Sequence, residues 1–404
     1  MIRKIINDSV KHVKIFSKIT HISDIAEDYF NLNGKIVSNE EHLKAAIVWL
    51  CRAQDITKNY GVSAGYSLEK GWLPPYPETT GYIIKTFINY SEFTSNDEYL
   101  NKAIQMGDWE INVQMDNGAV RGGVGINDYP IVFNTGQVIS GWVSLFKKTK
   151  LERFRDAAKR AGDWLISIQD DDGKWSKYTF QNIPHTYSTR VAWPMLRLYE
   201  ITDEKKYFVS GERNIDWTLE NYKGNGWFDK MHFNSKGHPF THTIAYTLQG
   251  LLESSNYLNF EKKERIQKIV YTAAENIMFS YELRKRNPYS LPHILAGNFD
   301  ENWKPASKYS CLTGNAQLSI IWLELFKLTN DGRFLNSALK LMDQTKAKQD
   351  LLNSNPGIKG AIAGSFPIWG KYREYSYPNW ASKFFADALM LQEEIMNKLD
   401  ENKI

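Results

Sequence analysis

Three stretches of this chain gather side chains that could move protons. In Gly71-Trp72-Leu73-Pro74-Pro75-Tyr76-Pro77-Glu78-Thr79-Thr80-Gly81-Tyr82 a Pro-rich loop runs into an apolar segment and delivers Glu78 to its start. Proline fixes the approach, and Thr79 or Thr80 can cap the helix that follows. The dipole of that helix favours a carboxylate, which suits Glu78 to a base or hydroxyl acceptor better than to an acid. Capping alone would also account for it. In Asn182-Ile183-Pro184-His185-Thr186-Tyr187-Ser188-Thr189-Arg190 a base, a phenol and a fixed cation lie close together. Abstracting the proton beside a uronate carboxyl group needs such a set of His185, Tyr187 and Arg190. Binding a sugar or satisfying loop carbonyls would use the same residues. The third stretch, Trp369-Gly370-Lys371-Tyr372-Arg373-Glu374-Tyr375-Ser376-Tyr377-Pro378-Asn379-Trp380, is followed by Lys383 and Asp387. Its density of aromatic and ionic groups fits a grip on a polar ring.

Further carboxylates stand at Asp229, after Trp227, and at Asp300 and Glu301, before Trp303. An inverting glycosidase needs an acid and a base roughly 6.5–9.5 Å apart. Glu78 with one of Asp229, Asp300 or Glu374 is the pair expected here. The aromatics cluster in loops, and rings with flat apolar faces and polar tips match sugar rings. Candidate substrate-binding residues are Trp72, Tyr76, Arg121, His242, Trp303, Tyr309, Trp369, Arg373, Trp380 and Lys383. Packing of the loops alone is the plainer explanation for the aromatics.

Five of the eight histidines, His185, His232, His238, His242 and His293, fall in these loops or at the helix starts after them. A zinc site from His232, His238 and His242 lacks a completing carboxylate or thiol pattern, and Pro239 interrupts the helical spacing. No metal or other cofactor is expected. Cys51 and Cys311 are the only cysteines. They exclude a disulfide framework, and Cys311 reads as a buried thiol rather than a nucleophile.

Six openings position these residues: Thr80-Gly81, Thr135-Gly136, Thr189-Arg190, Thr243-Ile244, Thr313-Gly314 and Asn379-Trp380. The segments after them are apolar on nearly all sides and read as inner helices. Between them run charged amphipathic patterns, at 41–54, 98–114, 152–169, 205–221, 262–282 and 333–348, that read as outer helices. Links such as Ser95-Asn96-Asp97 force antiparallel neighbours. Six inner and six outer helices in alternation predict an all-α (α/α)6 toroid with its long loops at one mouth. A single domain over 1–404 is expected, with an N-terminal helical extension over 1–38 and the barrel over 39–395.

With 50 basic and 46 acidic side chains and no basic run interleaved with aromatics, a nucleic-acid partner is not expected. The N-terminus has no signal-peptide pattern and no stretch is long and apolar enough for a membrane helix, so a cytoplasmic location is expected.

The helix-pair repeat, the stretch Trp49-Leu50-Cys51-Arg52-Ala53-Gln54, the loop Pro77 to Tyr82 and the close Asn379-Trp380-Ala381-Ser382-Lys383-Phe384-Phe385 carry a resemblance. They resemble the six-hairpin glycosidase superfamily over roughly Ser38 to Gln392, and within it proteins of bacterial O-antigen and exopolysaccharide gene clusters. The resemblance implies an (α/α)6 toroid and a role in surface-polysaccharide metabolism, and it carries no site residues. A second, narrower resemblance is the Q-x3-G-x-W motif of triterpene cyclases at Gln169-Asp170-Asp171-Asp172-Gly173-Lys174-Trp175. The acidic Asp-x-Asp-Asp motif of such cyclases is absent at the expected inner position. Asp170 to Asp172 read as a solvated turn on the face away from the mouth. The leading expectation is a glycoside hydrolase acting on an oligosaccharide or polysaccharide. A uronate lyase or C5-epimerase built on His185, Tyr187 and Arg190 is the alternative. A non-catalytic glycan-binding protein associated with polysaccharide assembly enzymes is a third reading.

Overall fold

Helix starts and stops in this chain follow local chemistry. The first outer helix opens on a capping box: Ser38 accepts from the Glu41 amide, and the Glu41 carboxylate accepts from the Ser38 amide. The first three inner helices and the fifth stop on a residue in the left-handed conformation, Ser95, Lys150, Asp203 and Asn330. The next outer helix begins two residues later, so one tight hairpin recurs around the chain.

The computed structural model describes residues 19–30, 35–234, 237–284 and 294–401. Helix α1 (Ile19–Phe30) precedes the ring. The outer helices are α2 (Asn39–Asp55), α4 (Asp97–Val113), α6 (Glu152–Ser167), α8 (Lys205–Glu220), α10 (Phe260–Arg284) and α12 (Gly332–Lys346). The inner helices are α3 (Pro77–Thr94), α5 (Val132–Thr149), α7 (Thr189–Thr202), α9 (Thr241–Ser254), α11 (Leu312–Thr329) and α13 (Asn379–Glu401). Every inner helix packs on the next, and α13 packs on both α3 and α2, which closes an (α/α)6 toroid. All six outer helices start and stop within two residues of the sequence expectation.

The threonines of the openings do not cap in the first two repeats. Helix α3 starts at Pro77 with Tyr76 at the cap and no side-chain cap bond. Thr80, a turn further in, donates to the Tyr76 carbonyl and accepts from the Val62 amide. Thr135 does the same with Ile131 and Val120. These hydroxyls pin the preceding loop to the helix. The glycine after each threonine allows inner helices to touch: a Cβ on Gly136 would lie 2.9 Å from Val191 Cα.

After four of the six outer helices a glutamine at or just past the helix end ties the loop to the next outer helix. The Gln169 amide donates to the Gly173 carbonyl in its own loop (2.8 Å) and to the Ser210 carbonyl in α8 (3.0 Å). Gln54 and Gln114 bridge likewise to Lys102 and Ala157. Gln349 closes the circle by donating to the Gly360 and His42 carbonyls. At this seam β1 (Gly65–Ser67) pairs antiparallel with β2 (Gly71–Trp72) and with β5 (Ser376–Pro378), stitching the first loop to the last. A second pair, β3 (Ser310–Cys311) with β4 (Ser365–Phe366), joins the fifth and last loops.

The Q-x3-G-x-W stretch is part of this scaffold. Trp175 is buried and donates its indole N–H to the Leu165 carbonyl at 2.9 Å. Asp170 to Asp172 do form a turn capped at Gly173, but the loop that carries them leads into α7, so they belong to the mouth side rather than the opposite face.

Candidate active site

At the mouth, loops and inner-helix starts enclose a cleft of about 640 Å³. Glu78, in the first turn of α3, accepts a short hydrogen bond from the Tyr76 hydroxyl. Burial pushes its carboxyl up to about 7, against the pull of Tyr76 and the Arg373 guanidinium. Desolvation thus works against the preference of the helix dipole for a carboxylate, and the side chain can hold its proton up to about pH 7. Arg373 lies over the Trp380 ring, 4.7 Å from its centroid. The Trp380 indole N–H donates to the Tyr372 hydroxyl at 2.8 Å.

Across the cleft, His242 in the first turn of α9 meets the Gln317 amide oxygen at 2.7 Å through Nδ1. Burial drives its pKa down to about 3, so the ring is neutral. With its proton on Nδ1, Nε2 carries the free lone pair. Tyr246, one turn later, packs against it with the rings tilted and their centroids 4.2 Å apart. Sequence reasoning missed Tyr246 and Gln317, although the spacing of Tyr246 from His242 puts both on one helix face.

The expected site residues divide among several places. Glu78, Tyr76, His185, Tyr187, His242, Arg373 and Trp380 line the cleft. His185, however, has Nε2 against the Phe180 carbonyl (2.9 Å) and Nδ1 against the His232 carbonyl (3.0 Å), so the nitrogen that carries the proton donates to a loop carbonyl and the other faces a second one. Its ring stacks on Tyr187, whose phenol burial keeps protonated. Arg190 and Lys383 do not reach this cleft; both line a separate chamber further down the barrel axis. The set of His185, Tyr187 and Arg190 is thus not assembled around one ligand space.

Asp229 and Asp300 line a different hollow of about 350 Å³ with His232 and His238. Glu374 pairs with Lys371 at 2.9 Å and lies outside the cleft lining. Glu78 is the one carboxyl among the described lining residues, so none of its three expected partners joins it. Trp72 packs on Trp49 and Tyr66, and Trp303 on Trp227 with its N–H on the Asn225 carbonyl. Tyr309 donates to Asn298, Arg121 holds the Val113 and Asn127 carbonyls, and Trp369 contacts Tyr29 of α1. These five build loops rather than the cleft. Among the described residues no group of three or more His, Cys, Asp or Glu is placed to hold a metal, and His293 lies outside them. Cys311 is fully buried with its thiol pushed up to about 12, and its sulfur accepts from the Gly314 amide as a helix cap.

No helix among the described residues is long and apolar enough to cross a membrane. A model of the squalene-hopene cyclase C-terminal domain matches residues 53–252, just under half of the chain. The second resemblance in the sequence therefore extends well beyond one motif. No curated protein matches. Among solved structures, an unsaturated glucuronyl hydrolase specific for heparin is similar at TM-score 0.68 and 14% identity, covering 89% of this chain and 98% of that one. A sugar epimerase from a ruminal bacterium is similar at TM-score 0.65 and 12% identity, covering 92% and 97%. A D-mannose isomerase is similar at TM-score 0.67 and 10% identity, covering 88% and 97%. At these identities the likeness establishes the fold alone: the chain shares the (α/α)6 toroid of these structures.

Proposed function

We propose that this protein is a glycoside hydrolase acting on an oligosaccharide that carries a uronate ring, with Glu78 as the proton-transfer residue. The observation that carries this is the Glu78 carboxyl held near neutrality beside Arg373, at the end of an aromatic cleft. A protonated Glu78 gives its proton to the substrate. The resulting carboxylate, steadied by Tyr76 and Arg373, takes one from the attacking water. Arg373 acts on Glu78 only from beyond ion-pair distance among the described residues, and a guanidinium on an aromatic face suits a substrate carboxylate. A single acid is enough where the substrate is an enol ether, as in an unsaturated uronate. Support comes from the similarity to an unsaturated glucuronyl hydrolase. A role in bacterial surface-polysaccharide metabolism, with assembly enzymes as partners, is proposed on the sequence resemblance alone.

The test is mass and ultraviolet analysis of purified protein with saturated, unsaturated and neutral oligosaccharides. Fragments that gain water from a uronate substrate, lost in Glu78→Gln, are expected. Undiminished cleavage by Glu78→Gln overturns the assignment, and saturable sugar binding without turnover favours a glycan-binding protein. His242 favours a second reading, an epimerase or isomerase, because its Nε2 is a neutral base in the same cleft as Glu78. Deuterium uptake from heavy water into an uncleaved sugar would identify it.

A further inference from the structure

Below an aromatic layer that includes Tyr82, Tyr246 and Phe384, the barrel axis holds a second chamber of about 470 Å³, lined by the inner helices, with Arg190 reaching it from the first turn of α7. Three cations crowd one indole at its wall. Lys85 Nζ, Arg190 Cζ and Arg197 Cζ stand 5.4, 5.1 and 5.4 Å from the Trp193 ring centroid. None of the three has a carboxylate within ion-pair distance among the described residues. Arg190 is buried, bonds Gln137 through Nη2, and leaves its Nε–H without an acceptor. Arg197 spends its donors on Ser140 and Ser144. Lys85 Nζ has no hydrogen-bond acceptor among the described residues. A fourth cation, Lys383, enters from α13 with Asp387 as its partner.

Like charges gathered out of water repel, and burial lowers the proton affinity of Lys85, Arg190 and Arg197 alike. The wall's carboxylates do not neutralise the trio. Glu92 pairs with Lys148, Glu324 with Lys327, Glu394 with Lys398 and Asp387 with Lys383, so Lys85 and Arg190 feel Glu253 and the already paired Asp387 only from beyond ion-pair distance. The dipoles of the inner helices do not explain them either, because that effect is confined to the last turn. Lys85, Arg190 and Arg197 all precede it.

We propose that this chamber binds a phosphoryl group, as free phosphate or as a phosphate ester, between Lys85, Arg190 and Lys383. Guanidinium and ammonium groups converging from three inner helices supply the charge-assisted donors that a divalent oxyanion takes. The site is separate from the cleft and independent of the reaction proposed there.

The test is thermal unfolding and calorimetric titration of the full chain with inorganic phosphate and with a hexose 1-phosphate. Sodium chloride matched for ionic strength is the control. A saturable rise in melting temperature is expected from at least one, since a ligand bound only by the folded state stabilises it. Tighter binding of the ester identifies a sugar phosphate as the occupant; equal binding identifies the phosphoryl group alone. Lys85→Gln is expected to weaken binding by about tenfold or more while leaving the ligand-free protein at least as stable, because it relieves repulsion. No response beyond that of chloride, or Lys85→Gln binding like the parent protein, overturns the proposal.

Discussion

Glu78 shows how far burial can redirect a side chain. Its carboxyl titrates at about 7 in the folded chain against an ordinary 4.5, so the folded state holds a proton that the unfolded state has released. The cost is absent below the ordinary value, grows as pH rises from there, and is complete above 7. Glu78→Gln is therefore expected to melt higher than the parent protein above pH 7, by about 1–3 kcal/mol, with the difference vanishing in acid. A lower melting temperature at every pH would contradict this environment for Glu78. Where Glu78 acts as the acid, the rate falls as pH rises through about 7. His185 illustrates the opposite outcome, since both its nitrogens face backbone carbonyls. Residue type alone does not separate these fates.

Where the turn after an outer helix meets the next outer helix, the contact is backbone on backbone. Gly173 has φ +89°, and a Cβ there would sit 2.4 Å from the Arg213 carbonyl oxygen. The left-handed conformation and the clash both oppose a side chain. Gly173→Ala is expected to cost about 2–4 kcal/mol, read as a lower urea midpoint, and an unchanged midpoint would refute the close approach. Helix boundaries were legible because amphipathic periodicity and short links are local signals. The role of Thr80 and Thr135 was not, because their partners, Val62 and Val120, are brought to them by the loop's return.

Closure of the ring is a property of the whole molecule. Asn379, fully buried at the start of the last inner helix, donates to the Ser63 carbonyl (2.7 Å) and the Thr79 hydroxyl (2.8 Å), from the first loop and first inner helix. Asn379→Ala is expected to destabilise the fold by about 1–3 kcal/mol. It is also expected to slow turnover, since Trp380 and Glu78 stand beside the broken bonds. Loss of neither stability nor rate would show that the seam is held elsewhere. The same closure separates cleft from chamber, so Arg190 and Tyr187, three residues apart, serve different spaces.

By itself the sequence determined the alternation of six inner and six outer helices, the loops gathered at one mouth, and Glu78, Tyr76, His242, Arg373 and Trp380 as residues of interest. Those follow from periodicity, spacing and side-chain chemistry, which act over a few residues. Only the tertiary structure decided which candidates share a space: it kept Glu78 apart from Asp229, Asp300 and Glu374, and sent Arg190 and Lys383 to the far chamber. The direction a side chain takes across a barrel depends on how neighbouring helices rotate and pack. Its proton affinity depends on the water that packing removes, and neither is a local quantity.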